Sequence, residues 1–181
     1  GHKSDIYEGG HRIPLLIKWP ATIKSESITD ETVCLNDLLA TCAEIMGEKL
    51  PDDAGEDSVS NLSVWQGKEL DRSVREATVH HSIYGNFSIR KGNWKLEMCP
   101  GSGGWSAPLP GDEPEDSPDI QLYDLSQDIG ERRNLCNEFP GIVDELKALL
   151  IKYVKDGRST PGQTQPNAEM NPWPGLEWLQ C

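Results

Sequence analysis

Residues 1–20, GHKSDIYEGGHRIPLLIKWP, have two halves of different chemistry. Residues 2–12 contain a lysine, an arginine, two histidines and a pair of glycines, which are groups that bind anions through positive charge and backbone N–H. Residues 13–19 are a short apolar run that Pro20 ends, and such a run is typical of a strand buried on both faces of a sheet. The stretch therefore predicts a cationic loop anchored by a buried strand.

The composition limits the partners of the chain. Its 181 residues carry a formal net charge of −13, which argues against nucleic acid and anionic membrane as partners. No apolar run approaches the roughly 20 residues of a membrane span. An anionic substrate stays compatible, because a local cationic cleft can outweigh distant negative charge. The five cysteines form no CxxC pair and leave the compartment undecided, and without an initiator Met we expect a piece of a longer protein.

An amphipathic helix is predicted after a polar loop that spans residues 21–32. Its apolar residues share one helical face and predict a core-facing stripe: Leu35, Leu38, Leu39, Cys42, Ile45 and Met46. Gly47 is expected to end the helix, and Asp37 to be a solvated acid on its surface. The acidic stretch 51–64 lacks the glutamate spacing of a calcium loop, so we expect a solvated loop there.

Alternating apolar and polar residues then predict an antiparallel sheet with one covered face. Its four strands are expected at residues 78–83, 87–90, 94–98 and 121–125. A helix from Pro140 to Gly157 supplies the cover through a stripe that includes Leu146 and Leu150. The residues from 159 to 181 predict an extended tail that docks through Trp173 and Trp178.

Several motifs in this order resemble the type I sulfatase family, the arylsulfatases that use a calcium ion and a formylglycine nucleophile. The first is K-x-x-x-Y-E-G-G-x-R-x-P followed by W-P, which begins at Lys3. The others are F-x-I-R-x-G-x-W-K-L from Phe87 and L-Y-D-L-x-x-D-x-x-E-x-x-N-L from Leu122. The resemblance implies the C-terminal portion of an alkaline-phosphatase-like α/β fold. Residues 1–72 would close the large α/β domain, and residues 73–158 would form a small α+β subdomain.

The resemblance also implies roles for individual residues. Lys3 would contact the sulfate group, because a fixed ammonium stabilises the negative charge that develops on the sulfonyl oxygens. The rest of the motif is expected to be architectural: Tyr7, Glu8, Gly9, Gly10 and Arg12. Glu8 and Arg12 would bond backbone groups around the glycine turn, with Tyr7 packed beneath.

A substrate rim is predicted from the residues themselves. His80, His81, Tyr84 and Trp105 could recognise a sugar by stacking and hydrogen bonds. Adjacent residues of a strand face opposite sides, so only one of the two histidines can serve one pocket. A structural role for both histidines at a sheet edge is the competing interpretation.

Other parts of a sulfatase are missing from the sequence. None of the five cysteines is followed by Pro two residues later and Arg four residues later, so the formylglycine precursor is expected upstream, as are the calcium ligands. No metal ligand is assigned within this chain. It is expected to be incomplete alone and to need the remainder of the domain, with a sulfated small molecule or glycan as substrate in a periplasmic, secreted or lysosomal enzyme.

Two alternatives from other classes stay open. One is a non-catalytic module that binds an anion or carbohydrate. The other is a phosphate-ester hydrolase of the same superfamily.

Overall fold

The computed structural model describes residues 1–167 and 175–180. The chain forms two compact units. The first contains residues 1–13, 79–152 and the described end of the chain, and the second contains residues 14–78 and 153–167. The boundaries expected at residues 72 and 158 concern the domains of the parent fold and stay a prediction.

The first unit contains the predicted antiparallel sheet, which is confirmed. Its strands are β1 (Thr78–His81), β2 (Phe87–Lys91), β3 (Trp94–Glu97) and β4 (Gln121–Asp124), in the order β1-β2-β3-β4. A tight turn joins β2 to β3 and pairs Lys91 with Trp94. Gly92 in this turn has φ 59°, in the left-handed region that favours glycine. The register continues through Leu96 opposite Leu122.

One face of the sheet is apolar, and helix α4 (Pro140–Asp156) supplies the expected apolar stripe. Ile89, Leu96 and Leu122 of the sheet are fully buried. Leu146 and Leu150 of the helix have at most 2% of their surface exposed. The Lys91 Nζ lies 2.9 Å from the Glu145 carboxylate and ties β2 to α4. The Trp94 ring packs 5.3 Å from that of Phe139, which directly precedes the helix.

The opposite, polar face of the sheet is buried as well, which corrects the expectation of one covered face. Ser88, Lys95 and Glu97 have no exposed surface. The cover is the N-terminal segment, residues 1–12, which contains helix α1 (Glu8–His11). Lys95 Nζ donates a 2.8 Å hydrogen bond to the Ile6 carbonyl, and Tyr7 Oη donates to Gln121 Oε1 at 3.1 Å. The alternation of apolar and polar residues therefore predicted the strands correctly, but it was wrong about which residues are exposed to solvent.

The buried strand predicted at residues 13–19 is wrong. These residues, all within the described part of the chain, form neither strand nor helix, and Leu16 is 92% exposed. A strand buried on both faces needs neighbours that complete its backbone hydrogen bonds, and none of β1–β4 pairs with this run. The apolar side chains are left at the surface.

The second unit contains helix α2 (Asp37–Met46) and the short helix α3 (Leu62–Trp65). Gly47 ends α2 at φ 72°, as predicted, but the expected burial is inverted. Large residues of the apolar stripe are exposed: Leu35, Leu38, Leu39, Ile45 and Met46. Asp37 and Thr41 are buried instead, so the prediction of a solvated Asp37 is wrong.

A polar network explains the inversion. The Asp37 carboxylate forms an ion pair with Arg75 and accepts hydrogen bonds from the Cys34 N–H at 2.8 Å and the Val59 N–H at 3.0 Å. A buried carboxylate with this many donors fixes the orientation of the helix more strongly than an apolar stripe whose large residues are exposed.

Within the tail that was expected to be extended, residues 159–165 curl back toward the end of α4, and the Gln165 N–H donates to the Asp156 carbonyl at 2.9 Å. The Arg158 guanidinium donates to the carbonyls of Thr160, Pro161 and Gln163. Residues 177–180 form a short 3₁₀-helix, and Trp178 Nε1 donates to the Gly175 carbonyl at 2.6 Å. Trp173, the other expected anchor, lies outside the described residues. Among the described helices, none is both long enough and apolar enough to cross a bilayer.

Candidate functional site

The N-terminal segment is attached to the sheet by a buried charged cluster of Glu8, Lys95, Glu97 and Glu131. Lys95 Nζ lies 2.7 Å from Glu131, 3.1 Å from Glu97 and 3.4 Å from Glu8. Glu131 also accepts the Glu8 backbone N–H at 2.7 Å. One buried ammonium therefore serves three carboxylates, and breaking such a set is costly because it leaves charge buried without compensation.

The carboxylates of the cluster are not equivalent. Burial raises the pKa of Glu8, but a hydrogen bond from His11 and the charges of Lys95 and Arg90 outweigh it and lower the pKa to about 2. Burial raises the pKa of Glu97 above its ordinary value by more than the Lys95 charge lowers it. Of these two residues, Glu8 is the stronger acid and Glu97 holds a proton more readily.

His80 lies beside this cluster. Its ring stacks on that of His11 with centroids 3.9 Å apart, and its Nδ1 is buried without a hydrogen-bond partner among the described residues. Burial, with the neighbouring His11 and Lys95 charges, lowers the pKa of His80 to about 3, so the ring is neutral at physiological pH. This position suits the structural interpretation of His80. His81 is exposed at the end of β1, with Nδ1 3.0 Å from the Ser82 carbonyl.

The architectural residues of the first motif follow a different pattern from the one expected. Gly9 and Gly10 lie inside α1, where a Cβ at Gly10 would overlap the Asp5 carbonyl. The Glu8 carboxylate bonds side chains, including Arg90 Nη1 at 3.2 Å, and not backbone groups. Arg12 is mostly exposed and lies 3.8 Å from Glu8. Tyr7 packs edge-on to Tyr123 beneath the segment.

Lys3 lies on the outer side of this assembly and is exposed. Its ammonium forms no hydrogen bond or ion pair with any residue that the structure describes. The next residue, Ser4, has φ 88°, a conformation that costs a non-glycine residue about 1–3 kcal/mol and persists only when its surroundings hold it. The Ser4 carbonyl accepts the Ile83 N–H at 3.0 Å, which places Lys3 near the turn between β1 and β2.

Asp5 connects the segment that carries Lys3 to the loop 101–106. Its buried carboxylate accepts hydrogen bonds from the Trp105 N–H at 2.9 Å, the Ser106 N–H at 3.0 Å and the Ser106 Oγ–H at 2.5 Å. It also accepts the His2 N–H at 2.7 Å. Burial raises the pKa of Asp5, but these donors more than offset it and lower the pKa to about 2. The loop is therefore tied to a group that is anionic at physiological pH.

The structure thus brings three of the predicted site residues to one end of the sheet. Lys3 is next to Ser4, which bonds Ile83, the neighbour of Tyr84, and Asp5 bonds the backbone of Trp105. Tyr84 and Trp105 are 55% and 51% exposed. His80 stacks on His11 and is not one of these three residues.

Sequence reasoning missed Asp5, Lys95, Glu131 and Ser106. Lys95 alternates with apolar neighbours, as a solvent-facing residue of an edge strand also does. Asp5 carries no local signal, because its donors come from residues about a hundred positions away in sequence. Only the motifs around W-K-L and D-x-x-E pointed toward Lys95 and Glu131, and the sequence interpretation gave Glu131 a turn or capping role between strand and helix, not the ion pair with Lys95.

The described residues do not fit a calcium site. Calcium takes six to eight oxygen ligands. In residues 1–167 and 175–180, no group of three His, Cys, Asp or Glu side chains is arranged to hold a metal ion. The charged cluster has three carboxylates, but the Lys95 ammonium occupies the centre where a cation would sit.

Comparison with models of known protein families finds no match. Comparison with curated proteins finds an N-acetylgalactosamine-6-O-sulfatase of Bacteroides thetaiotaomicron that is 33% identical over 164 residues. The alignment covers 83% of this chain but only 29% of that relative, so the chain spans less than a third of its length.

Solved structures give the same result. One, described under the metabolism of multiple glycosaminoglycans by Bacteroides thetaiotaomicron, has a TM-score of 0.68 and 31% identity over 83% of this chain and 30% of its own. A second was solved in complex with its substrate D-glucosamine-2-N,6-O-disulfate and has a TM-score of 0.56 over 76% of this chain and 27% of its own. At 21% identity the second supports the fold alone.

Proposed function

Because the chain belongs to the sulfatase family and has part of its alkaline-phosphatase-like α/β fold, we propose that it supplies the sulfate-binding lysine of an enzyme that hydrolyses sulfate monoesters. The observation that carries the proposal is Lys3. Its ammonium is exposed and has no partner among the described residues, while the residues that follow it are held by Ile83, Ser106 and Lys95.

An unpaired ammonium carried next to a fixed backbone is suited to sulfate-ester hydrolysis. Negative charge grows on the sulfonyl oxygens and on the leaving oxygen as the S–O bond breaks, and a preorganised cation stabilises that charge without having to move. Pairing with a carboxylate would weaken this effect, and the nearby Asp5 is fully occupied by four donors. Lys3 is therefore the group that we assign to sulfate contact.

We propose a sulfated sugar as the substrate. Tyr84 and Trp105 present exposed aromatic side chains at the same end of the sheet as Lys3, and an exposed aromatic ring suits the apolar face of a sugar. The name of the Bacteroides relative, which specifies a sulfated N-acetylgalactosamine, points in the same direction. His81 could add a hydrogen bond from the end of β1, whereas His80 fits a supporting role. An aryl sulfate is the other substrate class that we expect such an enzyme to accept.

The remaining parts of the reaction belong to groups that this chain does not carry. A formylglycine would supply the nucleophile and calcium would bind the sulfate, both held by the remainder of the sulfatase domain. We further propose a periplasmic, secreted or lysosomal location, as the resemblance to the sulfatases implies.

The test is to express the complete coding sequence that includes these residues and to assay it with calcium on a 6-sulfated N-acetylhexosamine and on an aryl sulfate. Lys3→Ala is expected to lower kcat/KM about 100-fold or more, the effect typical of removing one electrostatic contact to the transition state. Lys18→Ala, an exposed lysine of the run 13–19, is the matched control and should leave kcat/KM unchanged.

Other outcomes identify the alternatives. Hydrolysis of phosphate esters but not sulfate esters would favour the phosphate-ester hydrolase. Binding of a sulfated sugar without any turnover would favour the non-catalytic module. An unchanged kcat/KM in Lys3→Ala would overturn the assignment of Lys3.

A further inference from the structure

We propose that Asp5 is a positioning residue that holds Trp105 in a fixed place beside Lys3, so that one substrate contacts both. The inference rests on the proposed function for the identity of that substrate, a sulfated sugar whose sulfate reaches Lys3 while its ring lies on Trp105. The coupling itself rests on the contacts of Asp5 alone.

The two carboxylate oxygens of Asp5 accept hydrogen bonds from different donors. Oδ1 accepts the backbone N–H groups of Trp105 and Ser106, at 2.9 and 3.0 Å. Oδ2 accepts the Ser106 hydroxyl at 2.5 Å and the His2 N–H at 2.7 Å. One carboxylate thus joins His2, which precedes Lys3, to Trp105 and Ser106.

Further contacts bring the same two segments together. The Ile6 N–H donates to the Ser102 carbonyl at 2.9 Å. Gly104 approaches so closely that a Cβ there would lie 2.7 Å from Asp5 Oδ1 and 2.8 Å from Asp5 Cα. The Ser102 hydroxyl in turn donates to the Ser106 carbonyl at 2.6 Å and shapes the turn. The loop 101–106 is therefore fitted to the Asp5 backbone and cannot shift without breaking several bonds.

The arrangement explains why a buried acid lies two residues after Lys3. An exposed tryptophan on a glycine-rich loop would otherwise sample many positions, and a substrate that orders it has to offset that lost freedom. Anchoring both neighbouring N–H groups to a carboxylate whose charge is already compensated removes most of that cost. The spacing between the sulfate contact and the ring contact is then set before substrate binds.

The first experiment measures backbone hydrogen exchange at Trp105 and Ser106 in the 181-residue chain. Asp5→Ala removes both acceptor oxygens, and it should raise exchange at both amides about tenfold. Asp5→Asn, which keeps one acceptor oxygen but turns an N–H₂ toward donors, is the milder variant should Asp5→Ala fail to fold. Asp112→Asn, an exposed acid a few residues further along, is the control and should change nothing. Unchanged exchange in both test variants would overturn the proposal.

The second experiment uses the full-length enzyme and separates the two contacts. Asp5→Asn and Trp105→Ala should each raise KM for a sulfated N-acetylhexosamine about tenfold with little change in kcat. Inhibition by inorganic sulfate, which reaches Lys3 but not Trp105, should be unchanged. The double variant should be no worse than Trp105→Ala alone, because Asp5 acts through Trp105.

Each contrary result has a distinct meaning. Additive effects in the double variant, or an equal loss of sulfate inhibition in Asp5→Asn, would overturn the role of Asp5 in positioning Trp105. A wild-type enzyme that neither hydrolyses a sulfate ester nor binds sulfate would overturn the proposed function. In that case the exchange measurement would still decide whether Asp5 holds Trp105.

Discussion

Helices α2 and α4 have similar amphipathic sequences and opposite burial. In α4 the apolar stripe is the core, with Leu146 and Leu150 almost completely buried. In α2 the apolar residues Leu38 and Met46 are exposed, and the buried residues are the acid Asp37 and Thr41. One helix is held by leucines and the other by a carboxylate.

The difference teaches what an apolar stripe does and does not specify. It indicates that a helix needs an apolar partner, but it carries no information about where in a protein that partner lies. For α4 the apolar face of the sheet lies in the same chain. For α2 the unit offers Arg75 and the donors around Asp37 instead, and the chain spans only 29% of the sulfatase that it matches. The next predictions test this contrast.

The largest effect is expected from the buried acid of α2. Asp37→Ala leaves Arg75 buried without its anion and several N–H donors without an acceptor, so the free energy of unfolding should fall by about 4 kcal/mol. Asp144→Ala removes an exposed acid of α4 and should change it by less than about 0.5 kcal/mol. Urea unfolding followed by far-UV circular dichroism measures both, and equal effects would contradict the contrast.

A leucine pair tests the other half of the comparison. Leu150→Ala opens a cavity in the core under α4 and should cost about 3 kcal/mol. Leu38→Ala shortens a side chain that is 47% exposed and should cost less than about 1 kcal/mol. If the Leu38 variant lost as much stability as the Leu150 variant, the α2 stripe would have to be packed in solution.

The charged cluster extends the comparison to the sheet, where buried charge again replaces apolar packing. Glu131→Gln weakens the bonds to both Lys95 and the Glu8 N–H and should cost about 2 kcal/mol at neutral pH. Glu97→Gln is the matched variant, because a protonated carboxyl and an amide are similar in shape, and it should cost little.

Glu97→Gln also tests a pH dependence of stability. The folded-state pKa of Glu97 is raised above its unfolded value, so its contribution is complete below that unfolded value and is lost as pH rises through the folded one. Glu97→Gln cannot ionise and should become more stable relative to wild type as the pH rises through that window. Thermal unfolding of wild type and Glu97→Gln from mildly acidic to mildly alkaline pH checks this, and parallel curves would rule it out.

The smallest effect on stability is expected at the apolar surface of α2. Leu38→Lys combined with Met46→Lys should change the free energy of unfolding of the 181-residue chain by less than about 0.5 kcal/mol per site. The same double variant should lower the fluorescence of a hydrophobic dye and reduce aggregation, because it removes exposed apolar area. Marked destabilisation would show that the stripe is covered.

The sequence allowed the sheet and the covering helix to be predicted because their signals are local. Alternation placed β2 and β3 to within a residue, Gly92 marked their turn, and the apolar period marked α4. Gly47 marked the end of α2 for the same reason. Each of these patterns involves residues close together in sequence, and secondary structure depends largely on such local patterns.

The side of each element that meets the core was less predictable. Asp37, Lys95 and Glu97 are polar residues that only distant partners make compatible with burial. Within the candidate site, Lys3, Tyr84 and Trp105 could be nominated by residue type and motif. Asp5 could not, because nothing near it in sequence shows that its donors will come from Trp105 and Ser106.

The contacts that seat the N-terminal segment join residues very far apart along the chain. Glu8 meets Glu131 across 123 positions and Asp5 meets Trp105 across 100. Contacts of such high order form late in folding, because a long loop must close before any of them contributes. The residues that carry Lys3 are made before the strands on which they dock, and they have no place to dock until β3, β4 and Glu131 have emerged. The candidate site is therefore expected to be the last part of its unit to mature and the first to open.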